Sequence, residues 1–381
     1  MNKKNNWKFF LSSLALIGIT VGGYFVYKNF PKTSVSKFED VRDKNLSKCN
    51  IKDESLLRSL FFNQNTIWPD GSKLPENINP GKILEDAKYP GMKIKDLHDR
   101  GITGKGIHVA IIDQCMGKSL EHPEYKHAIS EFKSFFPEEI LNSDNYFGSS
   151  FHGPAMTSLL VGKNTGIAPD VSLHYIEVPM VEDAKYFADA LNYIIEKNKS
   201  LSKKEQIRIV SVSAAPSATV GNTMKNGQLW EGAFKNAKEN GILIFDTKDN
   251  FQSCYLDYND VDDISKCFLS EGTLKLLDGE QKQFISSKRN INSVRDLICI
   301  PCGCRTFAES RYSGEYSYCY QYPSESATIP ILSGILALGL QVNSNVSNDE
   351  IMQVLRESCY VENNGFKIIN PENFINALNA V

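Results

Sequence analysis

Gly101-Ile-Thr-Gly-Lys-Gly-Ile-His-Val-Ala-Ile-Ile-Asp113 is the stretch on which the fold turns. From Ile107 it is apolar and rich in β-branched residues, and it stops on an acid. A run without polar alternation fits a strand covered on both faces, which is the situation inside a parallel sheet flanked by helices. Similar runs return at 171–178, 207–213 and 242–245. Helical patterns lie between them, at 152–161, at 183–197, where Phe187, Ala190, Leu191, Ile194 and Ile195 share one face, and at 227–240. Strands alternating with amphipathic helices predict βαβ units with right-handed crossovers, hence an α/β doubly wound parallel sheet.

The alternation stops after Asn250 for about seventy residues and resumes with helical texture at 326–341 and 348–358, a short strand at 365–369 and a last helix from Pro371. The intervening 251–322 reads as a Cys-rich insertion, holding Cys254, Cys267, Cys299, Cys302, Cys304 and Cys319 of the chain's nine cysteines. With little else to hold that segment together, these are expected to form disulfides in an oxidising compartment. Cys299-x-x-Cys302-x-Cys304 also resembles a thiolate metal cluster, but a second ligand pair with finger spacing is missing.

Working back toward the N-terminus, residues 28–91 are polar and punctuated by Trp68-Pro69-Asp70-Gly71, Leu74-Pro75 and Asn79-Pro80-Gly81, the texture of a stalk, linker or pro-segment. Residues 9–27 carry no charge and end at Lys28, about the length that crosses a bilayer core as a helix. That run is a signal peptide or an anchor; its length and the lack of a clear small-x-small cleavage box favour an uncleaved transmembrane helix. Residues 1–8 then lie in the cytoplasm and the domain from residue 92 onward outside it, at the cell membrane. The formal net charge of the chain is -3, and residues 1–30 hold Lys3, Lys4, Lys8 and Lys28 without an acid, so the rest is more acidic still. Such a balance argues against a nucleic-acid partner, which is bound through clustered Lys and Arg.

Ligands of a parallel α/β sheet sit beyond the carboxyl ends of its strands, so polar residues there are the first functional candidates. Asp113 ends the opening strand; alone, it would more commonly be a helix or turn cap. Ser149-Ser150-Phe151-His152-Gly153-Pro154-Ala155 places a histidine at the start of a helix behind small hydroxyl residues able to cap it. Ser324-Glu325-Ser326-Ala327-Thr328-Ile329-Pro330 is a small-residue turn leading into an apolar helix, with the backbone N–H of Ser326 at the positive end of the helix dipole.

In the order Asp, His, Ser, these segments resemble the subtilisin family of serine peptidases. Gly101 to Asp113 is similar to the family's approach to its catalytic Asp, and His122-Pro123-Glu124-Tyr125 resembles the His-Pro-Asp-Leu that follows. Phe151-His152-Gly153 with Gly166-Ile167-Ala168-Pro169 resembles the His helix and its Gly-Val-Ala-Pro turn. Ser324 to Gly334 is similar in register to Gly-Thr-Ser-Met-Ala-x-Pro-x-x-x-Gly, and Leu243 to Asn250 to the strand ending in the oxyanion-hole Asn. The resemblance covers about 92–381 apart from the insertion, and Asp113-Gln114 is similar to a membrane-anchored, clostridial-type branch. Ser324-Glu325 stand where the family has Gly-Thr, and Lys248-Asp249 where it has Ala-Gly.

The resemblance implies a serine endopeptidase with Asp113, His152 and Ser326 as its triad, Asn250 in the oxyanion hole, and a protein or peptide as substrate. The segment 209–214 with Ala215-Pro216 would pair with substrate backbone. No cofactor is implied; structural calcium is frequent in the family, while no acid-rich loop at ligand spacing stands in this sequence. The departures leave two other readings open: a degenerate relative that binds peptides without cutting them, and a cysteine-rich surface protein for which the α/β domain is scaffold.

Overall fold

The structure, a computed structural model, describes residues 30–141, 150–179, 183–216, 224–269, 297–310, 316–321, 324–362 and 366–380. The expected membrane helix at 9–27 lies outside the described residues. The chain divides into two compact units at Leu84 and Glu85. In the first, where the sequence suggests a stalk, linker or pro-segment, a short helix Glu54–Ser59 starts at Asp53, whose carboxylate accepts from the Ser55 N–H. Val41, Leu46, Ile51 and Leu57 there are buried.

After a short helix at Ile94–Asp99, the second unit runs through β1 (His108–Asp113), β2 (Ile129–Ser134), α1 (His152–Val161), β3 (Ser172–Glu177), α2 (Lys185–Ser200), β4 (Ile207–Ser211), α3 (Gly227–Glu239) and β5 (Leu243–Phe245). The five strands form one sheet in the order β2-β3-β1-β4-β5, with every pair parallel. Successive residues of a strand point to opposite faces, and β1 shows the consequence. Val109 and Ile111 enter one core with Met156, Leu159 and Leu160 of α1. Ala110 and Ile112 enter the other, with Phe187, Leu191 and Ile194 of α2 and Trp230 of α3. Each large apolar side chain so buried contributes about 1.5–3 kcal/mol relative to exposure, which is why β1 tolerates no polar alternation. Helices on both faces confirm the doubly wound reading.

The later elements are β6 (Phe251–Tyr255), β7 (Ile298–Gly303), β8 (Thr306–Ser310), β9 (Tyr316–Tyr320), α4 (Glu325–Val342), α5 (Asn348–Glu357), β10 (Lys367–Ile368) and α6 (Pro371–Leu378). Strands β6, β7 and β10 pair in parallel, and β8 and β9 form an antiparallel hairpin. Helix α5 begins on a capping box, in which the Ser347 hydroxyl and the Glu350 carboxylate each serve the other's backbone N–H. Helix α4 is long and apolar enough to cross a membrane, yet 78% of it is buried inside the domain; it is the central core helix.

Two expectations for 251–322 give way here. The described strands belong to the core, with Phe251, Ile298, Ile300, Phe307 and Ala308 packed into the same cluster as α1 and α4. The described strands of the segment therefore have an apolar anchor of their own. The expected disulfides are not supported: the nine cysteines are all free. Cys254, Cys267, Cys299, Cys302, Cys304 and Cys319 are buried among these strands, and burial pushes the Cys299 and Cys302 thiols up to about 12. The thiolate-cluster alternative fares no better: among the described residues, no three of the His, Cys, Asp and Glu side chains converge as metal ligands.

Candidate active site

Asp113 is the last residue of β1 and His152 the first of α1, so one side chain leaves the sheet's carboxyl edge where the other begins a helix. They meet: the His152 Nδ1 lies 2.7 Å from Asp113 Oδ1. The same oxygen accepts from the Gln114 N–H at 2.7 Å, while Asp113 Oδ2 is buried without a hydrogen-bond partner among the described residues. Burial alone would lower the His152 pKa; the Asp113 charge and hydrogen bond outweigh it and hold the imidazole above the usual histidine range. With its Nδ1–H committed to the carboxylate, the ring presents Nε2 as its basic nitrogen.

The start of α1 is fixed from three directions. Ser150 Oγ accepts from the Gly153 N–H at 3.3 Å, so one of the hydroxyl residues before His152 serves the helix terminus. Ser150 N–H donates to the Cys115 carbonyl at 3.0 Å, tying the approach to α1 to the chain just beyond β1. Gly153 faces the Tyr175 hydroxyl and the Gln114 carbonyl so closely that a Cβ there would overlap the hydroxyl oxygen and lie 3.0 Å from the carbonyl. Tyr175 in turn donates to that carbonyl at 2.5 Å. Behind Asp113, Glu177 at the end of β3 accepts from the Met116 N–H at 3.0 Å. The Cys115 thiol is pushed up to about 11 by burial and by the Glu177 and Asp113 charges.

Ser326 is the second residue of α4. The cap is Ser324, whose hydroxyl accepts from the Ala327 N–H at 3.2 Å, and this gives a local reason for serine at that position. Exposed Glu325 lies in the positive first turn, where an acid is favoured. Pro330, four residues after Ser326, has no N–H with which to close the helical bond to the Ser326 carbonyl. Ser213 fills that role: its hydroxyl donates to the Ser326 carbonyl at 2.9 Å, and the Ser326 hydroxyl donates to the Ser213 carbonyl at 3.2 Å. This reciprocal pair docks α4 against the chain just past β4, on the same sheet edge as Asp113. Gly334 then lets α4 approach the turn after α1, since a Cβ there would lie 2.6 Å from the Ile167 Cβ.

The structure thus brings Asp113 and His152 into contact and places Ser326 at a helix start on the same edge, with its hydroxyl turned to Ser213. Ser213 falls in the 209–214 segment expected to pair with substrate backbone; the signal in the sequence for its side-chain bond to Ser326 is Pro330, which orphans the Ser326 carbonyl. Asn250 lies between β5 and β6, its Oδ1 buried without a hydrogen-bond partner among the described residues. It lines a cavity of about 680 Å³ together with Phe245, Asp249 and residues of α5. Burial and the neighbouring Asp246 push Asp249 up to about 7.

No model of a known protein family matches the chain. In sequence it is 29% identical over 125 residues to the minor extracellular protease Vpr of Bacillus subtilis (strain 168), a match covering 28% of this chain and 15% of that protease. In structure it is similar to the subtilase cytotoxin SubAB, at 17% identity and a TM-score of 0.50 over 78% of this chain and 96% of that one. It is equally similar to the A-subunit of the AB5 toxin from E. coli, at 15% identity and a TM-score of 0.50 over 77% and 99%. At such identities the solved structures speak for the fold alone, and the sequence match for a likeness over those 125 residues. In fold the chain is similar to these two toxin structures, and in sequence one stretch of it is similar to part of an extracellular protease.

Proposed function

We propose that the chain is a serine endopeptidase that cleaves protein or peptide substrates through an acyl-enzyme, with Asp113, His152 and Ser326 as its triad. The observation that carries this reading is the 2.7 Å contact between Asp113 and His152, with His152 Nε2 left as a base. In the reaction the Ser326 hydroxyl turns from the Ser213 carbonyl toward His152 Nε2, gives up its proton and attacks the substrate carbonyl. Asp113 stabilises the imidazolium that results. The backbone N–H of Ser326, in the first turn of α4, and the side-chain amide of Asn250 hold the oxyanion; one such donor is worth about 3 kcal/mol in sites of this type.

A fluorophosphonate probe tests this, because it labels only serines activated by a base. Wild-type protein is expected to label at Ser326, and the Ser326→Ala and His152→Ala variants to stay unlabelled. The bond from Ser326 to Ser213 favours a second reading, a peptide-binding relative in which the nucleophile is parked. Absence of labelling in folded wild type would decide for it.

The same reading puts the catalytic domain outside the cytoplasm, tethered by the apolar run at 9–27. Protease added to intact cells should then remove a C-terminal epitope. An epitope that survives until the cells are lysed would overturn the topology.

A further inference from the structure

The β8–β9 hairpin grips α1 at points spaced along its whole length. At the start, the Phe307 ring meets Phe151 edge-on, with centroids 5.7 Å apart. In the middle, the Ala308 N–H donates to Ser158 Oγ at 2.9 Å. Beyond the far end, the Tyr318 hydroxyl donates to Glu124 Oε2 at 2.7 Å. Glu124 is buried, and its carboxylate is otherwise spent on the turn that ends α1: it accepts from Asn164 N–H at 2.6 Å, Asn164 Nδ2 at 3.1 Å and Thr165 N–H at 2.9 Å. Thr165 Oγ1 returns to the Ser158 carbonyl at 2.9 Å, closing the turn on the helix. Burial opposes the charge on Glu124, yet these hydrogen bonds prevail and hold its pKa below the usual range.

The two residues touched directly, Phe151 and Ser158, are seven apart and so lie on one side of α1, while Tyr318 reaches the turn after α1 through Glu124. A ten-residue helix is a rigid rod about 15 Å long, and every residue of α1 after His152 is buried. Fixing one side of such a rod at several heights sets both its axial position and its rotation. The residue at its N-terminal end is His152.

We propose that Tyr318, acting through Glu124, and Phe307, acting through Phe151, are positioning residues that set the His152 imidazole against Asp113. The proposal rests on the peptidase reading for its kinetic consequences but not for its structural one. Among the described residues the charge acting on the imidazole is that of Asp113, with Glu177, Cys115 and Tyr175 grouped behind that carboxylate. None of these belongs to the hairpin, so the hairpin acts on His152 through geometry alone.

The test uses Tyr318→Phe, which removes one donor from a half-buried hydroxyl, and Phe307→Leu, which keeps an apolar side chain and loses the ring contact. Histidine-labelled protein is titrated by NMR, with His152→Ala identifying the resonance among the six histidines. The expected result is a lower His152 pKa in both variants, because a looser contact weakens the Asp113 effect that raises it. With a peptide substrate, kcat is expected to fall about 10- to 100-fold with KM little changed, as for a small misplacement of a reacting group. A reduced melting temperature with the His152 titration and kcat both unmoved would make the hairpin merely structural and overturn the proposal. A His152 titration that moves in the variants while no fluorophosphonate labels the wild-type protein would keep the positioning role and reject the peptidase reading, so the two failures are distinguishable.

Discussion

Asp113→Asn is expected to lower kcat by about four orders of magnitude, the loss seen when the carboxylate of such a triad becomes an amide. Asp113 Oδ1 accepts the Nδ1–H of His152 at 2.7 Å. An asparagine can offer its N–H₂ there instead, which turns the imidazole into the other tautomer and leaves a proton on Nε2, where the base is needed. The variant also changes the acid limb of the pH profile, and the sign follows from the causes acting on His152. Burial lowers its pKa and Asp113 raises it, with Asp113 prevailing. The wild-type limb therefore lies above the ordinary histidine value, and activity is lost as pH falls through it. With the carboxylate gone only the lowering cause remains, so the residual activity of Asp113→Asn should persist to lower pH. The same raised pKa means that the ion pair stabilises the fold most fully below the unfolded histidine pKa and ceases to do so as pH rises through the folded one. Steady-state pH–rate profiles of both proteins check the prediction; equal kcat values would remove His152 from the mechanism.

Gly153→Ala should cost about 100-fold or more in kcat, by displacing the helix start rather than by touching the chemistry. The added Cβ would overlap the Tyr175 hydroxyl and crowd the Gln114 carbonyl. Tyr175 is fully buried in the core and cannot swing away, so α1 has to move, and His152 moves with it. Removing the offending atom gives a control: the double variant Gly153→Ala, Tyr175→Phe should recover part of the lost activity. Tyr175→Phe alone should be mildly impaired, because the Gln114 carbonyl loses its 2.5 Å donor. A double-mutant cycle on kcat reads the coupling directly. Additive losses would show that Gly153 serves some purpose other than clearing that hydroxyl.

Much of the fold was legible before any coordinates. The run from Ile107 to Asp113 reads as a buried strand because both of its faces are apolar, and the structure sends alternate residues of it into two separate cores. The helix expected at 152–161 is α1 residue for residue, and the one expected at 326–341 is α4 to within a residue at either end. Locally encoded termini explain such agreement: Ser324 caps α4, and the Ser347 and Glu350 pair caps α5. The cysteines misled for a related reason. A thiol's fate depends on what surrounds it, and the spacing of Cys254, Cys267 and Cys299 to Cys319 did not reveal that strands would bury them in the main core.

The sequence by itself determined the alternating sheet-and-helix architecture, the placing of Asp113 and His152 at the edges of their elements, and the helix start that bears Ser326. These follow from patterns spanning a turn or a strand, where a residue's neighbours in space are its neighbours along the chain. Only the tertiary structure decided that the Ser326 hydroxyl rests on Ser213, 113 positions away, and that Tyr318 reaches Glu124 across 194. No local periodicity records such pairings, because they exist only once the sheet, its covering helices and the β8–β9 hairpin have been packed against one another and each buried polar group has had to find a partner.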